Sequence, residues 1–443
     1  MARISVFFWG LIALVTGIWF MSDTLWVSPF AYFPFRKVFV QYSGILAVFM
    51  MSAALVLALR LRLLERWLGG LDKVYRVHKW LGIGALVLAT LHWWWAQGSK
   101  WMVGWGWLEK PARRGAGQEL AGIETWLRSQ RGLAETLGEW AFYIVALLIV
   151  LALVKAFPYH LFRKTHKLLA VAFLPLAWHS FILMNFDYWA DPIGWLTFLV
   201  VVAGSVAAVL LLLGWPSRAR QVSGEVVSVH HYPGLRVFEC LVRVEDGWQG
   251  HQPGQFAFVT SDPRDGPHPY TIASDWDPQT RFLKFVVKEL GDHTRLASAK
   301  VCQGMPVTVE GPYGAFNFED DSLTQIWVGG GIGITPFIAR MNYLARHPDH
   351  RTVYLFHTTE DVNEEALDKL RADAEAAGVN LIIRRSKAEG RLTAQDIRDA
   401  VPDWQQASLW FCGPVKFASA VFGQFRKWGV PARRMHREFF DMR

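Results

Sequence analysis

Six apolar stretches of membrane-spanning length, or slightly less, occupy the first half of the chain, centred near residues 12, 50, 87, 149, 176 and 203. They predict six transmembrane helices. The first follows Arg3 and runs from Ile4 to about Phe20. It has the look of a signal peptide, but no small-x-small cleavage site follows and the segment is expected to be retained. After Trp215-Pro216-Ser217 the pattern changes. From Glu225 to about Phe318, short β-rich runs (EVVSVHHY, VFECLVRV, QFAFVT, FLKFVVKEL) are separated by Gly and Pro, which predicts a small antiparallel barrel. From Leu323 onward the apolar runs QIWVGG, TVYLFH, NLIIRRS and SLWFCG alternate with amphipathic helical segments, as in a parallel doubly wound sheet. The expected architecture is a membrane all-α six-helix bundle (1–216), a β-barrel domain (217–320) and an α/β doubly wound domain (321–443).

Composition supports a membrane half. Of the 443 residues 52% are apolar and only 19% charged, against about 25% charged in soluble proteins, which excludes disorder and a wholly soluble chain. The net charge of +8 is not gathered into one basic run, so nucleic acid is not the expected partner; a lipid bilayer with basic cytoplasmic loops fits. Arg60, Arg62, Arg66, Lys73, Arg76 and Lys79 follow the second span, and Lys155, Arg163, Lys164 and Lys167 follow the fourth. Both loops are expected to face the cytoplasm. The connection from Asn185 to Pro192 carries Asp187 and Asp191 and no base, as an outer loop should. The loop from Gly98 to Glu139 mixes Lys100, Lys110, Arg113, Arg114, Arg128 and Arg131 with glutamates and, being long, counts for little. Trp93, Trp94, Trp95, Trp101, Trp105 and Trp107 read as an interfacial belt. This orientation puts the chain in the cell (inner) membrane with both later domains in the cytoplasm. Cys240, Cys302 and Cys412 lie too far apart in sequence for a CxxC pair or a disulfide framework, so a metal must be held by other side chains.

Imidazoles inside apolar spans default to a functional hypothesis. His78 and His92 lie 14 residues apart on the third span, and His166 and His179 lie 13 apart on the fifth, separations of about 21 and 19.5 Å along a helix. Each helix thus offers one histidine toward either face of the bilayer. Bis-imidazole ligation of two stacked haems uses all four, whereas a single haem or a zinc ion leaves two unexplained. At 100° per residue, fourteen steps return to within about 40° of one face, but thirteen miss by about 140°. Pro175 lies between His166 and His179 and is expected to bend or rewind that helix. His160 is a spare candidate for the cytoplasmic position. A hydrocarbon layer of about 30 Å is too thick for one efficient electron step, and two sites shorten each jump. Phe173 sits near the middle of the fifth span, where packing is the plainer role and a place between two haems the other.

The later domains carry an ordered set of motifs. In HPYTIAS (His268 to Ser274), with His268 and Pro269 leading, the ring of Tyr270 can cover an isoalloxazine while Thr271 reaches its N5 edge. In KELGDHT, which opens on Lys288, Gly291 lets backbone approach a pyrophosphate and Thr294 can donate to it. VEGPYG (Val309 to Gly314) is a turn closing the barrel. VGGGIGITP presents Gly329, Gly330, Gly331, Ile332, Gly333, Thr335 and Pro336 between a strand and a helix, the setting of a pyrophosphate cradle. FCGP brings Cys412, Gly413 and Pro414 to the end of a later strand, where a nicotinamide ring would lie. EFFDMR supplies Phe439 and Phe440, one of which can stack on the flavin. The strand NLIIRRSK supplies Arg384, Arg385, Ser386 and Lys387, with no acidic residue at its end, which favours NADPH, NADH being the alternative.

The histidine pairs followed by HPYT, GDHT, GPYG, GGGIGITP and CGP, in that order, resemble the ferric reductase and NADPH oxidase superfamily, prokaryotic members included, over nearly the whole chain from about residue 40. The resemblance implies that His78 and His166 hold a cytoplasmic-side haem b, that His92 and His179 hold an outer one, and that His268 to Thr271, Gly291 and Thr294 bind FAD. The second half is also similar to ferredoxin-NADP reductases, in which an aromatic near the C-terminus covers the flavin, here Phe440. Ser386 and Lys387 fall where those reductases place a Ser-Arg pair on the 2′-phosphate. Two departures stand out: His293 occupies a position where many oxidases have tryptophan, and Met442-Arg443 extend beyond the stacking aromatic. No EF-hand loop is seen, which implies activity without calcium. The implied function is a transmembrane oxidoreductase that passes electrons from NAD(P)H through FAD and two haems to an outer acceptor, with Thr271, Cys412 and Phe440 at the reacting rings. Oxygen, giving superoxide, is the expected acceptor; a ferric chelate or a periplasmic redox partner is the alternative. From another class, a transporter or haem-sensing membrane module with a regulatory nucleotide domain uses the same parts.

Overall fold

The computed structural model describes residues 2–109, 122–154 and 156–438. These fall into two compact units, one up to residue 216 apart from 69–72, the other from residue 217 onward together with 69–72.

The first unit is helical: α1 (Ala2–Trp19), α2 (Tyr32–Ala58), α3 (Arg62–Leu68), α4 (Leu71–Gly104), α5 (Ile123–Ser129), α6 (Arg131–Leu153), α7 (Tyr159–Leu183) and α8 (Pro192–Leu212). Among the described residues α2, α6, α7 from Leu161 and α8 are long and apolar enough to cross a membrane, and α1 is a shorter apolar helix. The longest helix, α4, has 34 residues. Its ends are polar, with Asp72, Lys73, Arg76, His78 and Lys79 at one and Gln97, Ser99 and Lys100 at the other, so composition alone does not mark it as a span. Only 28% of the apolar windows of α6, α7 and α8 is buried, leaving side chains such as Leu147, Leu199 and Val206 facing outward. An exposed apolar surface of that extent suits lipid and not water. Inside, Trp19, Ile45, Phe49, Phe173, Tyr188 and Ile193 form one core. Glycine lets the helices close up there: a side-chain carbon at Gly204 would lie 2.6 Å from Ser52 Oγ and 2.8 Å from the Phe173 ring. Phe173 is fully buried in this packing.

After the single turn α9 (Trp215–Arg218), the second unit opens with β1 (Gln221–Tyr232), β2 (Val237–Val244), β3 (Phe256–Thr260), β4 (His268–Thr271), β5 (Phe282–Lys288), α10 (Asp292–Lys300) and β6 (Pro306–Tyr313). The strands form one six-stranded sheet in the order β4-β3-β6-β1-β2-β5, antiparallel throughout. Alternate side chains of β2 and β5 turn inward, placing Phe238, Cys240, Val242, Leu283, Phe285 and Val287 in one core. The expected closed barrel is not found. Its edge strands meet at the isolated bridge Ile272–Phe285, because β4 is four residues long and includes Pro269, which has no N–H to give.

The rest of this unit is β7 (Thr324–Gly330), α11 (Thr335–Arg346), β8 (Thr352–Thr359), α12 (Glu364–Ala376), β9 (Asn380–Arg385), α13 (Ser386–Glu389), α14 (Ala394–Ala400), β10 (Ser408–Cys412), α15 (Val415–Lys427) and β11 (Met435–Arg437). The sheet order is β11-β10-β7-β8-β9, all parallel. Ile326, Val328 and Phe411 face one layer of helices and Trp327, Trp410 and Cys412 the other, as a sheet covered on both sides requires. The chain runs outward from β7 to β9 and then returns to build β10 and β11 on the opposite side. The reversal leaves a crevice at the carboxyl ends of β7 and β10, the usual place for a ligand in such sheets.

Candidate functional site

In the helical unit α4 and α7 bring four imidazoles together as two pairs. The ring centres of His78 and His166 are 5.8 Å apart with planes at 64°, and those of His92 and His179 are 6.1 Å apart at 80°. Imidazoles that share one metal ion at about 2 Å each have ring centres roughly 6 Å apart. The Nδ1 atoms of His78, His92 and His179 lie 2.9, 2.9 and 2.8 Å from the carbonyl oxygens of Ala54, Val40 and Ala134. A carbonyl only accepts, so each Nδ1 carries the proton and Nε2 keeps its lone pair, the tautomer a metal ligand needs. His166 has no such partner among the described residues; its ring stacks on Phe162 at 4.9 Å. Both imidazoles of α7 reach α4 although thirteen steps separate them, with Pro175 inside the helix between them.

These pairs suit haem better than a bare ion. Among the described residues no group of three His, Cys, Asp or Glu side chains is placed to hold a metal, whereas a porphyrin brings four equatorial nitrogens and asks the protein for two axial ones. The backbone makes room for the rings. A side-chain carbon at Gly44 would lie 3.0 Å from His92 Cε1, and one at Gly138 would overlap the His179 imidazole. Sequence reasoning missed Gly44, Gly138 and the three carbonyl acceptors that orient the rings; small residues inside apolar spans were the available signal. It also missed Arg36, whose guanidinium donates to the carbonyls of Trp95 and Ala96 at 2.9 Å, three and four residues beyond His92.

In the second unit β4 and α10 join the first two motifs through His293. Its Nε2 lies 2.9 Å from the Tyr270 hydroxyl, and its ring stacks on His268 with centres 3.3 Å apart and planes at 8°. The residue that departs from the oxidase pattern therefore positions Tyr270. Burial holds the His293 pKa below its ordinary value, opposed by Asp265 at 3.5 Å, and burial pushes the Tyr270 phenol up. Thr294 Oγ1 accepts from the backbone N–H of Leu290 and Gly291 and lies 3.1 Å from the Gly291 oxygen, so its hydroxyl closes the first turn of α10. Gly291 itself is extended, at φ −159°, a conformation open to any residue. Thr271 is buried at the end of β4, and Lys288 reaches to 3.7 Å from Asp361.

At the crevice of the parallel sheet the two glycine motifs touch through backbone. Gly329 and Gly330 end β7, Gly331 turns with φ +56°, and Thr335 and Pro336 begin α11. A side-chain carbon at Gly333 would overlap the Cys412 carbonyl, and one at Gly330 would lie 2.9 Å from Pro414 Cδ; Gly413, at φ +154°, packs on Gly330. Gly331 and Ile332 line a cavity of about 110 Å³ together with His357, Thr359, Asp361 and Lys288. Cys412 is fully buried under this turn, and burial, with Glu438 nearby, raises its thiol pKa, so it stands as a neutral S–H. Phe439 and Phe440 lie outside the described residues, as do Met442, Arg443, Lys110, Arg113, Arg114 and Lys155, and the side chain of His160 is likewise outside them. The bases at the end of β9 and the start of α13 are not free: Arg384 pairs with Asp396 at 3.0 Å, Arg385 with Glu364 at 2.9 Å and Lys387 with Asp361 at 3.0 Å. Ser386 donates to the Thr359 carbonyl at 3.1 Å. No acid stands at the end of β9 in the sequence, but the fold brings three to these bases: Asp361 from the β8–α12 connection, Glu364 from the first turn of α12 and Asp396 from α14.

Two imidazoles, His357 buried and His251 partly buried, give this unit a pH-dependent stability. His251, 2.9 Å from the Ser274 carbonyl, and His357, 3.3 Å from that of Gly329, are each pushed by burial to a pKa of about 4. Unfolded, both titrate near 6.5. A depressed histidine pKa means that the unfolded chain binds more protons, so the contribution is complete above about pH 6.5 and is lost as pH falls toward 4, by roughly 3 kcal/mol for each group. The temperature of flavin release from the full-length protein is expected to drop steeply between pH 6.5 and 4.5. His251→Gln should flatten that slope, and an unaltered slope would reject the assignment.

Comparison with known proteins divides the chain at the same place. Residues 43–177 match the ferric reductase like transmembrane component, and residues 225–317 match an FAD-binding domain. A flavohemoprotein of Halalkalibacterium halodurans is 23% identical over 254 residues, which is 51% of this chain and 61% of that protein. A flavohemoprotein of Bacillus cereus is 28% identical over 32% of this chain and 38% of its own length. An NADPH oxidoreductase of Mycobacterium tuberculosis is 31% identical over 44% of this chain and 54% of its own length. The chain thus spans between 38% and 61% of these relatives. Among solved structures, a flavohemoglobin from Malassezia yamatoensis is 16% identical with a TM-score of 0.45, covering 71% of this chain and 85% of that one. A ferredoxin NADP+ reductase from Neisseria gonorrhoeae is 16% identical with a TM-score of 0.42, covering 49% and 98%. One unit thus matches a ferric reductase like transmembrane component over residues 43–177, and the other matches an FAD-binding domain over residues 225–317.

Proposed function

We propose that the chain is a transmembrane NAD(P)H-dependent oxidoreductase that passes electrons from cytoplasmic NAD(P)H through FAD and two b-type haems to oxygen on the outer side, forming superoxide. The observation that carries this reading is the pair of facing imidazole couples between α4 and α7. On this reading α1 and α4 complete six spans, and the domains are 1–216, 217–320 and 321–443. The positive-inside pattern puts the second and third in the cytoplasm, and the membrane is the inner one. When bound, the nicotinamide supplies a hydride, the flavin divides it into single electrons, and the haems carry these across the bilayer.

The residues of the chain hold and tune these groups. His78 with His166 and His92 with His179 would hold the two haems, and the carbonyls of Ala54, Val40 and Ala134 fix three of the four rings. His268, Pro269, Tyr270 and Thr271 with Lys288, Gly291 and Thr294 would hold FAD, Phe440 would cover its ring, and His293 restrains Tyr270. Gly329 to Gly333 with Thr335 and Pro336 would take the dinucleotide phosphates at the start of α11. Cys412, Gly413 and Pro414 would floor the nicotinamide site, and the buried thiol keeps water and charge from it.

Purified protein should show a b-type haem spectrum at two haems per flavin. With NAD(P)H and air it should reduce a dye in a manner that superoxide dismutase suppresses. Turnover confined to a ferric chelate under argon would replace oxygen by that chelate as acceptor, and absence of haem would overturn the reading.

A further inference from the structure

The turn after β8 carries what the end of β9 lacks. In a doubly wound sheet that binds a dinucleotide, the strand following the glycine turn and its helix ends at the adenosine ribose. A carboxylate there accepts from the 2′-hydroxyl, whereas a base accommodates a 2′-phosphate. Here the glycine turn closes β7, α11 follows, and the next strand is β8. Asp361 stands two residues past its end and lines the same cavity as Gly331 and Ile332.

The bases around it are already committed. Asp361 Oδ1 accepts from Lys387 Nζ at 3.0 Å, and its Oδ2 lies 3.7 Å from Lys288 Nζ. Glu364, in the first turn of α12, takes Arg385 at 2.9 Å and stands 3.8 Å from Arg371. Asp396 takes Arg384 at 3.0 Å. The turn is itself pinned: Thr359 Oγ1 donates to the Asp361 carbonyl at 2.7 Å and Ser386 Oγ to the Thr359 carbonyl at 3.1 Å. A phosphate dianion entering this corner has to break carboxylate pairs and then sit beside the released acids, and like charges within about 4–6 Å repel. A ribose diol meets the opposite situation, because its hydroxyls can donate to a carboxylate that Lys387 and Lys288 hold in place and ionised.

We infer that Asp361 receives the adenosine ribose diol and, with Glu364, disfavours a 2′-phosphate, so that the chain takes NADH in preference to NADPH. This rests on the nicotinamide reading of the crevice given above. It reverses the preference that Arg384, Ser386 and Lys387 suggest in the sequence.

The test compares two ligands that differ only in the 2′-phosphate, AMP and adenosine 2′,5′-bisphosphate. Their binding to the full-length FAD-loaded protein is measured by calorimetry, beside anaerobic bleaching of the flavin by NADH and by NADPH. AMP is expected to bind at least about fivefold more tightly than the bisphosphate, and Asp361→Asn with Glu364→Gln is expected to reverse that order by a similar factor. Retained flavin absorbance shows that the variant is folded. A wild-type preference for the bisphosphate, or a ratio unmoved by the double substitution, overturns the inference. If either nucleotide bleaches the flavin while the two ligands bind alike, only the inference falls. If neither bleaches it and neither ligand binds, the nicotinamide reading falls with it.

Discussion

Replacing His92 or His179 by alanine is expected to leave one haem per chain in place of two and to cut NAD(P)H-driven reduction of an outer acceptor by roughly a hundredfold or more. The magnitude follows from what lesser changes do: loss of a group that merely orients a metal-binding histidine costs about 10- to 100-fold, and here the ligand itself goes. Each pair has two imidazoles with ring centres near 6 Å, and no group of three metal-binding side chains is formed among the described residues. No neighbouring ligand among the described residues is therefore placed to take over. The carbonyl of Val40, which holds His92 Nδ1, would lose its partner as well. Haem content by pyridine haemochrome, normalised to flavin, separates this outcome from general misfolding, because the flavin motifs belong to the other compact unit. His92→Met provides a second reading. A thioether is a competent axial ligand that raises the potential of the iron, so this variant should regain the second haem with a more positive midpoint. Two haems per flavin in His92→Ala would remove the four-imidazole assignment.

The pairing of the four histidines was legible because a polar ring in an apolar helix has few uses, and because spacings of 14 and 13 residues put one imidazole toward either end of each of two helices. Counting residues could not show that His166 and His179 both face α4, since thirteen regular steps point them apart and α7 contains Pro175. The groups that orient the rings were illegible for a simpler reason: every residue has a carbonyl, and nothing in the sequence distinguishes those of Ala54, Val40 and Ala134. Strand patterns at β2, β5, β7 and β10 announced themselves by alternation or by continuous apolar runs. The open edge of the antiparallel sheet has a visible cause in Pro269, yet short β-rich runs separated by Gly and Pro read equally as a barrel. His293 was noticed as a departure, but its stacking on His268 and its bond to Tyr270 need the fold that brings α10 to β4. Asp361 shows the same limit. It acts on Lys387 from a neighbouring strand of the sheet, 26 positions away in the chain, a distance over which inspection of β9 alone finds no acid.

Gly333→Ala is expected to abolish most of the reduction of flavin by NAD(P)H while leaving flavin content near normal. The reason lies in where the added carbon goes. At residue 333 it would overlap the carbonyl of Cys412, which is backbone and cannot rotate aside. The glycine turn and the turn after β10 must then separate, and these are the two walls of the crevice at which the parallel sheet reverses direction. Forcing one extra methyl group into a packed interior costs about 1–3 kcal/mol, which the soluble unit can survive, but a displacement near 1 Å at a reacting site can cost about a hundredfold in rate. Gly331→Ala makes the control. That position has a positive φ, +56°, yet a carbon added there meets nothing within 4 Å, so the variant carries only the left-handed backbone penalty of about 1–2 kcal/mol. It should reduce its flavin far faster than Gly333→Ala, although both lie in one motif. Stopped-flow bleaching under anaerobic conditions ranks the two. Equal losses would mean that conformational freedom matters more here than contact with Cys412, and wild-type reduction by Gly333→Ala would separate the two turns from nucleotide binding altogether.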